Sequence, residues 1–154
     1  MMRDLLGFAR ELACAVAGSE SLDDAAREQY GSGITVEIGF DKDRTDWASI
    51  APFAVLVPDG ISMEDGYMTH SFALLLGVLD EERESVCESV TQFRGESFLS
   101  GTFLPEVLHA MADSVRLGTL DVSNIDINQE SAPLFYCTAA LTVTVPVGIG
   151  DTRY

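Results

Sequence analysis

Basic residues are scarce in this sequence. Lysines and arginines number 9 against 25 aspartates and glutamates, so the 154 residues carry a formal charge of −16. A surface this acidic repels nucleic-acid phosphates and anionic lipids, which argues against direct binding to either. Long apolar runs are absent too, because the longest, FALLLGVL at 72–79, falls well short of the ~20 residues that a membrane-spanning helix needs.

Cysteines are few, and the N-terminus lacks the pattern of a secretory signal. Its apolar stretch is interrupted by Asp4, Arg10 and Glu11. We therefore expect reduced thiols in a protein made in the cytoplasm. No CxxC spacing occurs and each cysteine has apolar neighbours, which predicts buried, unreactive side chains for Cys14, Cys87 and Cys137.

Recognisable catalytic patterns are also missing. The two histidines, His70 and His109, are far apart, and no cysteines or carboxylates accompany them at metal-site spacing. Neither a GxSxG elbow nor a phosphate-binding glycine loop occurs. The acidic run DEERE at 80–84 is interpreted as a solvated surface turn. We predict that the protein is not an enzyme and uses no metal or cofactor.

The acidic segment DKDRTD at 41–46 has several of the carboxylates that a calcium loop requires. An EF-hand loop counted from Asp41 needs glycine at its sixth position and glutamate at its twelfth. The chain has Asp46 and Pro52 there, so the match fails. We interpret the segment as a solvated loop and leave open a weak surface cation site.

The N-terminal part of the chain is predicted to be helical. With 47% hydrophobic residues, the chain has enough apolar material for one globular domain over 1–154. An amphipathic helix is expected over 2–17. A short second helical turn then runs through Arg27, with Ser21 as its cap.

The middle of the chain is also predicted to be helical. Val86, Val90 and Phe93 fit one short face, and Gly95 interrupts it. A longer helix follows, with Pro105 in its first turn, where the missing N–H costs little.

Three strands are expected before the middle helices. ITVEIGF at 34–40 alternates and has one wet face. FAVLVP at 53–58 and SFALLLGVL at 71–79 are apolar on both faces, which predicts central strands covered on each side. The intervening segment 59–69 is interpreted as a long exposed connection.

The last two strands carry the clearest pattern. TLDVSNIDIN at 119–128 shifts its apolar phase, which predicts a bulge near Ser123–Asn124. The final strand lies between Pro133 and Pro146 and alternates an apolar face with a threonine-rich face. Its extended length is ~40 Å, about twice that of a usual strand. We predict that neighbouring copies of the chain share this excess length.

The order of elements predicts an α+β fold. It comprises a mixed, mostly antiparallel sheet, helices packed on one face, and a long C-terminal β-hairpin. The only tryptophan lies in the charged loop, either folded onto the core or exposed as an interface anchor. Candidate interface residues are this tryptophan and the outer side of the last strand: Trp47, Tyr136, Thr138, Thr142 and Thr144.

In its layout, the chain resembles the tail-terminator (tail-completion) proteins of long-tailed bacteriophages. The resemblance spans roughly Ile34 to Pro146, and the N-terminal helix also carries it. It is one of element order and local character. The segments that carry it are APFAVLVPDG, HSFALLLGVLDE, LPEVLHAMADSV, LDVSNIDINQ and APLFYCTAALTVTVP.

The resemblance implies a structural virion protein. Such a protein forms a hexameric homo-oligomeric ring that caps the tail tube, stops its polymerisation and joins the tail to the head connector. Its implied partners are the tail tube protein and a head-completion or connector protein. DNA would pass through the ring without specific binding, in the virion tail, after assembly in the host cytoplasm.

Two other function classes remain alongside this one. The chain is alternatively another head–tail neck or adaptor protein, or a non-enzymatic protein-binding module, neither of which needs a closed ring. The third class is an enzyme that uses a carboxylate and a histidine in a cleft. That class requires His70 or His109 to lie beside carboxylates and to face a pocket.

Overall fold

The computed structural model describes residues 4–116, 118–128 and 133–147. Within these residues, α-helices α1 to α5 are Leu5–Ala17, Glu20–Tyr30, Trp47–Ile50, Arg94–Phe98 and Leu104–Ser114, and a π-helical turn, Leu99–Phe103, joins the last two. Strands β1 to β7 are Thr35–Ile38, Phe53–Glu64, Tyr67–Leu79, Arg83–Cys87, Val90–Phe93, Thr119–Asn128 and Leu134–Pro146.

Five of the strands form one mixed sheet in the order β1-β2-β3-β7-β6. β1 runs parallel to β2, and every other neighbouring pair is antiparallel. β4 and β5 form a separate two-stranded ribbon. The predicted α+β class, with its mostly antiparallel sheet and C-terminal hairpin, is confirmed.

One face of the sheet meets the helices, and we call it the helical face. Alternation in β3 and β7 directs Phe72, Leu74, Leu76, Phe135 and Leu141 to this face, where all are buried. They pack against apolar residues of α1 and α5: Phe8, Leu12, Val107 and Met111. Full burial of each large apolar side chain contributes about 1.5–3 kcal/mol, so this layer is the main source of stability.

The first two helices are bounded by side-chain caps. Asp4 accepts a hydrogen bond from the Gly7 N–H at 2.6 Å, and Ser19 accepts one from the Leu22 N–H at 3.3 Å. The prediction that Ser21 caps a turn ending at Arg27 is wrong, because the cap is Ser19, two residues earlier, and α2 runs to Tyr30. Ser21 lies inside the helix and its hydroxyl donates to Glu106 at 2.8 Å.

The predicted exposed connection over 59–69 is also wrong. β2 continues to Glu64, and a two-residue turn at Asp65 (φ 50°) and Gly66 (φ 80°) leads directly into β3. Both positive φ values are those of a type I′ hairpin turn, for which Asp-Gly is a preferred sequence. A bulge between Pro58 and Gly60 shifts the phase of β2, and this shift hides its alternation.

The prediction of a helix over 86–93 is wrong as well, because β4 and β5 form an antiparallel ribbon there. A single helix does begin at Arg94 and continues through the π turn into α5. Pro105 lies in the first turn of α5 as predicted, and the Leu104 N–H bonds back to the Leu99 carbonyl. Because proline has no N–H to donate to the carbonyl four residues earlier, the widened turn accommodates it without breaking the helix.

Asp80, predicted to lie in a solvated turn, is only 4% exposed. Its carboxylate accepts two hydrogen bonds from Arg94, at 2.8 and 3.2 Å, and one from the Glu82 N–H at 2.9 Å. Its own N–H donates to the Pro133 carbonyl. These bonds join the end of β3 to the ribbon, to α4 and to the start of β7.

Electrostatics around Asp80 favour its ionised form. Burial alone would raise the pKa of this carboxyl, but the hydrogen bonds from the Arg94 guanidinium and the Glu82 N–H, together with the nearby Tyr30 hydroxyl, hold it below its usual value. Burial, followed by the nearby Asp80 carboxylate, raises the pKa of Tyr30, so the phenol stays protonated.

We predict that Asp80→Asn destabilises the fold by about 2–3 kcal/mol, because the amide leaves the Arg94 guanidinium without its charged partner. In the wild type, the lowered pKa stabilises the fold above about pH 4, and this contribution is lost as the pH falls through the folded-state value. Urea unfolding at neutral and acidic pH measures both effects. Asp121→Asn, at an exposed position of β6, is the control, and equal midpoints for the two variants would contradict the prediction.

Candidate interaction surface

On the sheet face turned away from α1 and α5, no helix of the described residues packs over most of β3 and β7. We call the positions of β3 and β7 on this side the open face. Register places fourteen residues there: Tyr67, Thr69, Ser71, Ala73, Leu75, Gly77, Leu79, Leu134, Tyr136, Thr138, Ala140, Thr142, Thr144 and Pro146.

No charged residue occurs at any of these fourteen positions, although 22% of the chain is charged. Charges on this side of the sheet begin at its margins, with Glu37 on β1, Glu64 at the end of β2, and Asp121 and Asp126 on β6. A neutral centre with a charged rim is the usual composition of a protein–protein contact surface.

The side chains of the open face are mostly small and favour strands. Thr69 and Thr144 lie directly opposite each other, and their hydroxyls are 3.3 Å apart. Such threonine pairs stabilise a sheet while keeping its surface low and uncharged. Thr138 is exposed, whereas Thr142 and Thr144 are half-buried. The three predicted threonines therefore lie in one row along the face.

The predicted sharing of the last strand between copies does not fit the structure. β7 pairs with β3 along its whole length, from Leu134 to Pro146, and with β6 on its other side. The length of β7 is matched by that of β3, so both of its edges are used within the chain. Another molecule can therefore contact the side chains on the face of β7 but not pair with its backbone.

Trp47 folds onto the end of the open face. Its ring stacks on Phe40 at 5.8 Å, contacts Phe53 at 5.1 Å, and lies under the Arg44 guanidinium at 5.3 Å. Phe53 in turn lies 6.4 Å from Tyr136. The Trp47 side chain is half-buried and packs onto the fold, which is the first of the two interpretations given for it above. All five predicted interface residues belong to this side of the sheet.

Segment 41–46 is tied together by its own ion pairs. Arg44 contacts Glu37 at 3.0 Å and Asp46 at 3.2 Å, and Asp41 accepts a hydrogen bond from the Asp43 N–H. Nowhere in the part of the chain that the structure describes do three or more potential metal ligands come together. Within this loop, the Asp46 carboxylate thus pairs with Arg44, and the Asp41 carboxylate accepts a hydrogen bond from a backbone N–H.

The two histidines lie in different surroundings. His70 is fully buried on the helical face, its ring is 4.6 Å from that of Phe8, and neither ring nitrogen has a hydrogen-bond partner. His109 is exposed on α5, 3.3 Å from Asp113. A shallow depression beside the α1–α2 junction is lined by acidic residues and by neither histidine. Of the two histidines, His70 thus lies within apolar packing and His109 lies on the surface.

The prediction that all three cysteines are buried is wrong for two of them. Cys137 is buried on the helical face, and burial raises the pKa of its thiol. Cys14 and Cys87 are exposed, the first on the outer side of α1 and the second on β4. The apolar neighbours of Cys14 in the sequence do not indicate whether its side chain lies on the buried or the exposed side of α1.

Gly77 is the residue of the open face that the sequence analysis missed. The Phe53 ring lies directly over it, and a Cβ atom at position 77 would overlap the ring. The absent side chain lets Phe53 lie across β3 toward Tyr136 on β7. An isolated glycine inside an apolar strand was the available signal.

No family model matches the chain, and no curated protein matches it significantly. Among the described residues, none of the helices has the length and apolar character required to cross a bilayer.

We predict that Gly77→Ala destabilises the fold by about 1–3 kcal/mol, because the new methyl group overlaps the Phe53 ring. Thermal unfolding of the double variant with Phe53→Leu tests the cause. The cost of Gly77→Ala should fall markedly in that background. If the two substitutions are instead additive, the ring contact is not the reason.

We predict that His70 makes stability depend on pH. Burial lowers the pKa of His70, against a smaller opposing effect of Asp4, so the unfolded chain binds its proton first on acidification. Stability is therefore complete above about pH 6.5 and falls as the pH drops toward the lowered folded-state value. His70→Leu should remove this slope in urea unfolding, and His109→Gln should keep it. Parallel profiles for both variants would contradict the assignment.

Proposed function

We propose that this chain is a structural phage virion protein that forms a homo-oligomeric, hexameric ring at the end of the tail tube. The proposal combines the resemblance to tail terminators with one structural observation, the uncharged open face of a strongly acidic protein. The ring would stop tube polymerisation and join the tail to the head connector. Its partners would be the tail tube protein and a head-completion or connector protein.

The size of the open face is sufficient for part of a contact. Its two strands, at ~4.8 Å spacing and ~40 Å length, cover roughly 400 Å². That is about half of one partner's share of a standard protein–protein interface. A closed ring also needs two different surfaces on each copy, and one side of the molecule presents the open face whereas the other presents α1 and α5. The open face is therefore our candidate for one half of the subunit contact.

The charge of the chain suits a passage for DNA. With −16 per copy, a ring repels phosphates, so DNA would pass through without specific binding. In this role the protein acts in the virion tail after assembly in the host cytoplasm. It performs no catalysis and needs no cofactor.

A second candidate is a neck adaptor or binding module that does not close into a ring. The observation that favours it is the internal pairing of both edges of β7, which removes the shared strand as a source of ring contacts. In that case the open face would bind a different protein.

We predict that the purified protein forms rings of about six subunits in negative-stain images and a matching mass by light scattering. Thr138→Asp should raise the dissociation constant of the ring at least about tenfold, because it places a second carboxylate on this side of the sheet, opposite Asp126 of β6. Thr91→Asp is the matched control, since Thr91 is an exposed strand residue of the ribbon.

Two outcomes would count against the proposal. A wild type that stays monomeric or dimeric at ~0.1 mM would favour the adaptor or binding module. Rings that form equally well with Thr138→Asp would show that the open face is not a subunit contact.

A further inference from the structure

β2 has an unpaired edge beyond the end of β1. β1 pairs only with Phe53–Leu56, and its last bond is from the Gly39 N–H to the Leu56 carbonyl at 2.8 Å. β2 then continues to Glu64, paired with β3 on one side. Among the described residues, no strand lies against the other side of 57–64. We call 60–64 the free edge.

The register shows which backbone groups of this edge are unpaired. The Leu56 carbonyl points toward β1, and residues of a strand alternate in direction. After the bulge, Gly60, Ser62 and Glu64 lie opposite Ser71, Thr69 and Tyr67 in the β3 ladder. The backbone N–H and C=O groups of these three residues point toward β3. Because the direction of these groups alternates along a strand, the N–H and C=O groups of Ile61 and Met63 point outward, away from β3. A partner strand would find two regularly spaced donor–acceptor pairs there.

The two halves of 57–64 differ in how well they resist pairing. Pro58 lacks an N–H, the bulge follows it, and Asp59 adds a charge, all of which are common protections of a strand edge. The free edge beyond them is regular. It carries Ile61 and Met63 on one face, each 52% exposed. An exposed apolar edge with unpaired backbone hydrogen-bonding groups is the kind of edge to which an extended peptide adds as a further strand.

Charge decides between the possible occupants of the edge. Segment 57–71 contains Asp59, Glu64 and Asp65 and no lysine or arginine. A second copy would bring the same carboxylates and a further formal charge of −16 to the contact. Like charges facing each other across a strand pair are destabilising, so pairing between two such edges is disfavoured.

We propose that the free edge binds an extended segment of a partner protein in which apolar and basic residues alternate. The segment adds as a sixth strand beside Gly60–Glu64, with backbone hydrogen bonds to Ile61 and Met63. Its apolar side chains cover those two residues on the helical face, and its basic side chains face Glu64 on the other. The inference does not depend on ring formation, because the edge and the open face are separate surfaces.

A labelled heptapeptide of alternating lysine and valine is the probe, followed by fluorescence anisotropy with the full chain at low salt. We expect saturable binding below ~1 mM that weakens as salt is raised. A peptide with glutamate in place of lysine should not bind. Met63→Pro should weaken binding at least about tenfold, because proline removes an outward N–H and leaves the ladder to β3 intact.

Matched variants separate edge pairing from general attraction to an acidic protein. Ile61→Ser should weaken binding, whereas Ile125→Ser should not, because Ile125 is equally exposed, at 52%, but lies on β6. Thermal unfolding verifies that each variant is folded.

Three results would overturn the proposal. The first is no binding by the wild type up to ~1 mM. The second is equal binding by the folded Met63→Pro and Ile61→Ser variants, which would indicate charge attraction alone. The third is a concentration-dependent increase in mass that Met63→Pro abolishes, which would make a second copy the occupant.

Discussion

The pairing of β3 with β7 along their whole lengths is the constraint on which the rest of the structure depends. Both strands alternate strictly, so this one register sends large apolar residues such as Phe72 and Leu141 to the helical face and small neutral ones such as Thr142 to the other. A slip of one residue would exchange the two faces and bury threonines under α1 and α5. The core and the open face are therefore two consequences of the same register.

Charged residues are distributed around this sheet according to what pairs them. Asp80 is buried because Arg94 and backbone N–H groups satisfy its carboxylate, and this cluster holds the ribbon and α4 against the sheet. Arg44 pairs with Glu37 of β1 and with Asp46, both of which stay partly exposed. On the open side, Glu37, Glu64, Asp121 and Asp126 lie at the margins of the sheet, and the fourteen positions of the open face carry no charge.

The sheet is only partly covered, by helices on its faces and by β1 along the edge of β2. The two uncovered parts are the surfaces that we assign to binding. Among the described residues, α1 and α5 cover one side of the sheet, whereas only Trp47 of α3 packs onto the end of the other, which leaves a neutral face suited to contact with another folded subunit. β1 ends at Ile38, eight residues before the end of β2 in their shared register, which leaves a narrow edge suited to an extended strand. In our proposals the first surface would recognise shape, and the second would recognise backbone hydrogen bonds and charge.

Local periodicity was sufficient for much of the fold and for part of the site. It located the helix over 5–17, the alternation of the last strand, the bulge at Ser123–Asn124 and the row of threonines on one side. It misassigned 59–69 and 86–93, because a bulge hides alternation and a short apolar pattern fits a helix and a ribbon equally well. The burial of Asp80, the packing of Trp47 and the need for Gly77 were decided by partners distant in sequence. A period specifies which side chains share a face, but whether that face is covered depends on elements that only the folded chain brings together.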